Sequence, residues 1–140
     1  LLNATIRKDE ATVAELIEEA HAANTSPKFY NNEQALRSVI IMAYLSSVDD
    51  YCRFEELASG KGYIDLLFLP TKQSAKPALV IELKWNKSGE KAIRQEEEQQ
   101  YWKFAETFRY KGPILLVGIN YNTKTKKHTC RIKEARKELL

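Results

Sequence analysis

The chain has 140 residues, of which 44% are hydrophobic and 29% are charged, and its formal net charge is +3. The length fits one compact domain, and the composition excludes a chain that is disordered along most of its length. The small excess of positive charge would tolerate a polyanionic partner without requiring one. No apolar run reaches the roughly 18 residues of a membrane-spanning helix, so we expect no membrane partner.

The two cysteines, Cys52 and Cys130, lie far apart, with no further Cys or His at the spacing of metal ligands. Neither a zinc site nor a disulfide framework is indicated, and we expect a cytoplasmic protein. The chain begins at Leu1, with neither an initiator Met nor the basic and apolar leader of a secreted protein. We therefore expect residues 1–140 to form a single domain of a longer polypeptide.

Two helices are predicted in the first third of the chain. Residues 9–23 place apolar side chains at helical spacing, and acidic residues at their start suit the positive end of the helix dipole. After a turn at residues 24–28, Asn31 or Asn32 could cap a second helix. Its apolar stripe is broad, which predicts that this helix is well buried. The stripe consists of Ala35, Leu36, Val39, Ile40, Ala43 and Tyr44.

Three strands are predicted in the middle of the chain. Residues 51–57 and 63–69 are strand-like, and a glycine-bearing turn at residues 59–62 joins them into a β-hairpin. Residues 78–85 form a short and nearly continuous apolar run, which is typical of a central strand.

The last third of the chain returns to the sheet through a helix. Residues 90–108 are charged and helix-favouring, which predicts a crossover helix. Residues 114–119 form a further apolar strand, and residues 127–132 form an edge strand after a polar turn. The resulting order, ααβββαββ, predicts an α/β (α+β) fold with a mixed central β-sheet flanked by helices.

Two charged residues interrupt the predicted central strand. Side chains alternate along a strand, so Glu82 and Lys84 project side by side on one face. On the neighbouring strand, a register that aims Asp65 at Glu82 leaves three apolar residues in the opposite core layer, namely Ile64, Leu66 and Phe68. One acid from each strand and a lysine are thus expected to meet.

This cluster has a chemical and a structural interpretation. Two converging carboxylates repel each other and are costly to desolvate unless a cation neutralises them, and Mg²⁺ is a hard ion that prefers oxygen ligands. The ion would lower the pKa of an attacking water, and Lys84 could orient that water or stabilise developing negative charge. In the structural alternative, Glu82 and Lys84 form an ion pair at a strand end and Asp65 caps a turn.

The joint pattern resembles the PD-(D/E)XK nuclease superfamily, with Ile64-Asp65 standing for PD and Glu82-Leu83-Lys84 for (D/E)XK. The resemblance implies a restriction-endonuclease-like core. It also implies that Asp65 and Glu82 bind a divalent ion, Mg²⁺ with Mn²⁺ as a substitute. The Leu83 carbonyl would add a ligand, and Lys84 would assist the attacking water as a catalytic residue.

More narrowly, the chain from about Asn3 to Ile132 resembles the nuclease-like domain at the C-terminal end of bacterial AAA-ATPase-like proteins. This implies an N-terminal ATPase-like partner domain, with residues 1–140 as a C-terminal fragment of the same polypeptide. The residues that carry the resemblance are Glu33, Glu56-x-x-x-Gly60-x-Gly62-x-x-Asp65, Ile81-Glu82-Leu83-Lys84, and Ala92-Ile93-x-Gln95 followed by Tyr101.

The same resemblance suggests further site residues. Glu33 matches a helical acid that often completes the metal site, and Gln95 matches a polar residue that faces the site in relatives, although either could be a solvated helical residue. Relatives also carry an acid at the position of Glu56, where an ion pair with Lys61 is the structural alternative. Relatives usually have Arg where this chain has Tyr63, so a cation near the substrate or near Asp65 could be missing.

The leading hypothesis is Mg²⁺-dependent hydrolysis of phosphodiester bonds in nucleic acid. DNA is expected as the substrate before RNA. A homodimer is one possible assembly. A first alternative is a nucleic-acid-binding or regulatory module that lost useful catalysis beside an ATPase domain. A second is a structural interaction domain in which the polar cluster is an ion-pair network.

Two other groups of polar residues occur in the chain. No Asp or Cys stands at a suitable spacing from His21 or His128 in the sequence, and both histidines are expected at the surface. Lys124, Lys126 and Lys127 form a basic turn that could contact phosphate or be simply solvated.

Overall fold

The structure is a computed structural model of the chain. It describes residues 1–24, 33–44, 49–59, 62–71, 75–88, 91, 93–94, 97 and 103–135, and the side chains of these residues other than 23–24, 33–34 and 58–59. No helix in these ranges is long and apolar enough to cross a membrane.

The helices and strands follow the predicted order with one addition at the start. Lys91, Ile93, Arg94 and Glu97 also have helical backbone, as expected of the crossover segment. The elements are α1 (Leu2–Ile6), α2 (Glu10–Asn24), α3 (Glu33–Ala43), β1 (Tyr51–Ser59), β2 (Gly62–Pro70), β3 (Ala78–Trp85), α4 (Lys103–Phe108), β4 (Ile114–Asn122) and β5 (Lys127–Glu134).

The five strands form one mixed sheet in the order β1-β2-β3-β4-β5. The pairs β1/β2, β2/β3 and β4/β5 are antiparallel, whereas β3 and β4 are parallel. A parallel pair requires a crossover connection, which the helical segment between β3 and β4 supplies. The prediction of a mixed sheet with β3 at its centre and β5 at its edge is therefore confirmed.

Each face of the sheet has its own hydrophobic cluster. The first cluster joins the sheet to α2 and α3, and includes Val13, Ile17, Leu36, Ile40, Leu66, Phe68, Leu79, Ile81 and Leu83. The second lies under the crossover segment and α4, and includes Leu67, Val80, Ile93, Phe104 and Leu116. Burying both faces explains why β3 reads as an almost continuous apolar run.

The first helix was not predicted. In α1, Leu2 and Ala4 are buried, and Thr5 Oγ1 lies 2.6 Å from the hydroxyl of Tyr44 at the end of α3. A single helical turn is too short to show a periodic pattern, and contacts with the rest of the fold stabilise it. Its existence therefore depends on tertiary packing.

The predicted layer for Ile64 is wrong. Ile64 belongs to the second cluster, whereas its neighbour Leu66 belongs to the first. The backbone of Glu56, which lies between the paired residues Glu55 and Leu57 of β1, has a φ of 50°. This irregularity interrupts the alternation of β1 and β2 next to Asp65, which a strict two-residue period could not anticipate.

The expectation that His128 lies at the surface is also wrong, whereas His21 is partly exposed. His128 is buried, and its ring packs against the rings of His21 and Tyr121. Burial lowers the pKa of His128 to about 4, in spite of the nearby Glu18 carboxylate. The sequence shows β5 as a polar strand, but α2 covers the side that carries His128.

Candidate active site

The proposed acids meet where β2 and β3 separate. The last backbone pair between these strands joins Leu66 and Ile81, and the same register one step further places Asp65 opposite Glu82. There the backbone N–H of Leu83 donates a 2.9 Å hydrogen bond to Asp65 Oδ2. The Asp65 side chain thus takes the place of a strand carbonyl, and its orientation is fixed at the opening between the strands.

Glu82 is deeply buried beside this aspartate, with 3% of its surface exposed. Burial, the neighbouring charge of Asp65 and a hydrogen bond with Asp65 raise the pKa of Glu82 to about 9, while Lys84 acts in the opposite direction. A buried carboxyl with a raised pKa next to a second carboxyl is typical of functional sites. It is costly for the fold unless a cation neutralises the pair.

Lys84 projects from the same face of β3 as Glu82, two residues further along the strand. It is half-buried, and its charge favours the ionised form of Glu82. The register of β4 places Gly118 beside Glu82 and Asn120 beside Lys84. Because Gly118 has no side chain, the sheet leaves space on this face next to the buried acid.

Arg37 of α3 is a site residue that the sequence interpretation missed. Its Nη2 atom lies 3.7 Å from Asp65 Oδ1, and its Nη1 atom lies 2.9 Å from Glu56 Oε1. The Arg37 side chain is only 16% exposed. Asp65 is therefore held on both carboxylate oxygens, by the Leu83 N–H and by this guanidinium.

Of the two places where a cation could be missing, Asp65 does have one nearby, because Arg37 lies beside it. Tyr63, at the position compared with the usual Arg, is 65% exposed, while Arg37 of α3 supplies a positive charge next to Asp65. A single Arg beside the apolar stripe of a helix gave no sign that it would meet a strand almost thirty positions away. Glu56 pairs with this Arg, and its predicted alternative partner Lys61 lies outside the described residues.

We expect Arg37→Met to destabilise the fold by roughly 1–3 kcal/mol, because Asp65 loses a half-buried counter-ion that also joins α3 to the hairpin. Thermal melts would measure the loss. Arg53→Met is a matched control, since Arg53 lies 3.8 Å from Glu55 on the exposed surface of β1 and such pairs contribute little. Equal melting temperatures for the two variants would show that the Arg37 contact is unimportant.

The two other candidate metal ligands, Glu33 and Leu83, and the candidate catalytic residue Gln95 are not all described by the structure. Helix α3 begins at Glu33, but the Glu33 side chain lies outside the described residues, as does all of Gln95. Leu83 is buried in β3 beside Asp65. Among the described residues, no group of three or more His, Cys, Asp or Glu could hold a metal ion, so Asp65 and Glu82 stand as a pair of acids.

A sequence profile of the PD-(D/E)XK nuclease superfamily matches residues 31–131, which include α3, the whole sheet up to β5 and both acids. The chain belongs to this superfamily. Its mixed sheet with flanking helices is consistent with the restriction-endonuclease-like fold. Nucleases of the PD-(D/E)XK superfamily generally use divalent metal ions. A search of curated proteins finds no match to the chain.

The residues that resemble the superfamily motif lie close together in the structure. Asp65, which we compare with the PD position, and Glu82-Leu83-Lys84, which we compare with (D/E)XK, meet at one opening of the sheet. The structure adds how Asp65 is held. Its two carboxylate oxygens are clamped by Arg37 and by the Leu83 N–H.

Proposed function

We propose that this domain hydrolyses phosphodiester bonds of nucleic acid in a reaction that depends on a divalent metal ion. The observation that carries the proposal is the meeting of Asp65 and the buried Glu82 at the opening between β2 and β3, with Lys84 on the same face. We take DNA as the first substrate to test and RNA as the second.

The residues present fit a hard divalent ion such as Mg²⁺, for which Mn²⁺ could substitute. Mg²⁺ is commonly held by one or two carboxylates together with waters and substrate phosphates, so two acids are a sufficient protein contribution. Asp65 and Glu82 would be these ligands, with the Leu83 carbonyl and Glu33 as further candidates. The raised pKa of Glu82, caused first by burial and then by the charge of Asp65, supports this assignment, because a bound cation would favour the ionised form and offset both effects.

A bound ion would polarise the scissile phosphate and lower the pKa of an attacking water. The protein residues supply position and charge. Arg37 and the Leu83 N–H hold Asp65, and Arg37 is therefore a positioning residue. Lys84 would orient the water or stabilise negative charge that develops on the phosphate. Gln95, on the crossover segment, is proposed to support this arrangement.

Two proposals about partners follow from the resemblance to ATPase-associated domains. The first is that an ATPase-like domain precedes this domain in the same polypeptide, with residues 1–140 as the C-terminal domain. The second is a homodimer, in which two copies would cut the two strands of a duplex. Sedimentation of the protein with and without duplex DNA would test the second proposal.

A catalytically weak binding or regulatory module is the second candidate function. It is favoured by Tyr63 at the position where relatives usually have Arg, and it is weakened by Arg37, whose guanidinium lies near Asp65. Such a module would bind nucleic acid without cutting it at any divalent ion concentration.

The deciding experiment is a nuclease assay on single-stranded and duplex DNA and on RNA, with Mg²⁺ or Mn²⁺ and with EDTA as the control. We expect cleavage that needs the divalent ion. Calorimetric titration with Mn²⁺ separates the remaining outcomes: binding of Mn²⁺ and nucleic acid without cleavage indicates the regulatory module, whereas no Mn²⁺ binding by the intact protein indicates an ion-pair network without a metal.

A further inference from the structure

A cleft of about 660 Å³ lies beside the edge strand, outside the acid pair. Glu10 is the single acid among the described residues that line the cleft, and three basic residues line it as well. We call it the β5 cleft and define it by Lys87, Asn120, Asn122, Lys127, Thr129 and Arg131. Lys, Arg, Asn and Thr side chains are the groups that proteins commonly use to contact nucleic acid phosphates.

Hydrogen bonds fix the wall of the β5 cleft that follows β3. The Lys87 N–H donates to Asn120 Oδ1 at 2.8 Å, and the Asn86 N–H donates to the Tyr121 carbonyl at 2.8 Å. The Asn86 side chain in turn accepts the N–H of Thr123 at 2.8 Å. These bonds tie the segment after β3 to β4 and its turn, so the basic residue at position 87 is held at the cleft.

The register of the sheet connects the β5 cleft to the acid pair. Asn120 pairs with Lys84 on one side and with Thr129 on the other. One row along, Gly118 lies between Glu82 and Arg131. Strands are spaced by about 4.8 Å, so Arg131 starts roughly 10 Å from Glu82 across a row with no intervening side chain. Phosphates a few nucleotides from the scissile bond are therefore within reach of Arg131.

The charges in the β5 cleft can change partners at little cost. Lys127 Nζ lies 3.9 Å from Glu18, and Arg131 Nη1 lies 3.2 Å from Glu10, but both basic side chains are more than half exposed. Exposed ion pairs of this kind are worth at most about 1 kcal/mol. On the other side of the acid pair, Glu55 faces Arg53 of β1 and Glu56 faces Arg37 of α3, and these two acids make that side less favourable for a polyanion.

We propose that the β5 cleft binds the sugar-phosphate backbone of a nucleic acid strand on one side of the scissile bond. This inference rests on the proposed nuclease function and adds to it the path of the substrate, which crosses β4 and β5 and avoids β1. Lys87, Lys127 and Arg131 are the phosphate contacts, and the contact is independent of sequence because it uses no base edges.

The test is binding of fluorescein-labelled single-stranded DNA, measured by anisotropy over a range of salt concentrations, with EDTA present so that metal-dependent cutting does not occur. Lys87→Ala/Lys127→Ala is expected to weaken binding about ten-fold at low salt and to reduce the salt dependence by about one to two released ions. Arg53→Ala/Lys111→Ala removes the same charge from exposed positions outside the cleft and is expected to bind like the parent chain. The same measurement with RNA and with duplex DNA of the same sequence shows which kind of nucleic acid backbone the cleft binds.

Equal weakening by both double variants would overturn the proposal, since binding would then follow net charge alone. Unchanged binding by the cleft variant, or no binding by the parent chain, would overturn it as well. The nuclease assay with Mg²⁺ is a separate readout. If the parent chain cuts nucleic acid but its binding does not depend on the β5 cleft, the proposed nuclease function stands and the proposed role of the cleft is wrong.

Discussion

Glu82→Gln is expected to abolish metal-stimulated cleavage, a loss of at least about a thousand-fold. Glutamine keeps the size and hydrogen-bonding capacity of the side chain but removes the negative charge that would hold the divalent ion next to Asp65. The measurement is single-turnover cleavage of labelled DNA with Mg²⁺. Glu55→Gln on β1 is a matched control, because Glu55 is an exposed strand glutamate whose described partner is Arg53.

The same substitution is expected to stabilise the metal-free protein. Burial raises the pKa of Glu82 in the folded protein to about 9, above its ordinary value of 4.5. Its contribution to the stability of the fold is therefore full below pH 4.5 and is lost as the pH rises towards 9. Glutamine does not titrate and escapes that loss. In EDTA we expect a gain on the order of 1–3 kcal/mol at pH 8, and a smaller gain at pH 5.

The two readouts together distinguish a metal site from a structural network. Mg²⁺ should raise the melting temperature of the parent chain and leave that of Glu82→Gln unchanged, because only the former keeps both ligands. A variant that loses stability in EDTA, or one that still cuts DNA at the parent rate, would contradict the assignment of Glu82 as a metal ligand.

Lys84→Ala is expected to slow cleavage about a hundred- to a thousand-fold while leaving the binding of Mn²⁺ largely intact. The lysine lies on the face of Glu82 but is not a ligand, since an ammonium group cannot bind a cation. Its loss therefore removes the charge that would act on the water or the phosphate. The effect should fall on kcat more than on KM, and isothermal titration with Mn²⁺ would measure the metal binding separately.

Two variants serve as controls for this substitution. Lys84→Arg keeps the positive charge with a different shape and is expected to recover part of the rate. Lys111→Ala removes an exposed lysine after α4 and is expected to cut like the parent chain. If Lys84→Ala instead abolished Mn²⁺ binding and left residual cleavage unchanged, Lys84 would be a structural partner of Glu82.

Much of the fold could be predicted from local patterns. Apolar residues at helical spacing gave α2 and α3, and the continuous apolar run gave β3 with the bounds observed. Four strands, β1, β2, β4 and β5, extend beyond their predicted limits. Their hydrogen-bonded pairing continues through residues that show no alternation of apolar and polar side chains. Helix α1 was missed for the related reason that one turn has no measurable period.

The sequence by itself determined the order of the elements, the superfamily motif and the pairing of Asp65 with Glu82, because each of these depends on spacing along one strand or between two consecutive strands. Only the tertiary structure decided what surrounds that pair. Arg37 reaches Asp65 from helix α3, and α2 packs against β5 and buries His128. The β5 cleft likewise joins residues that follow β3 to residues of β5. Contacts between distant segments depend on how layers pack, and no local period records them.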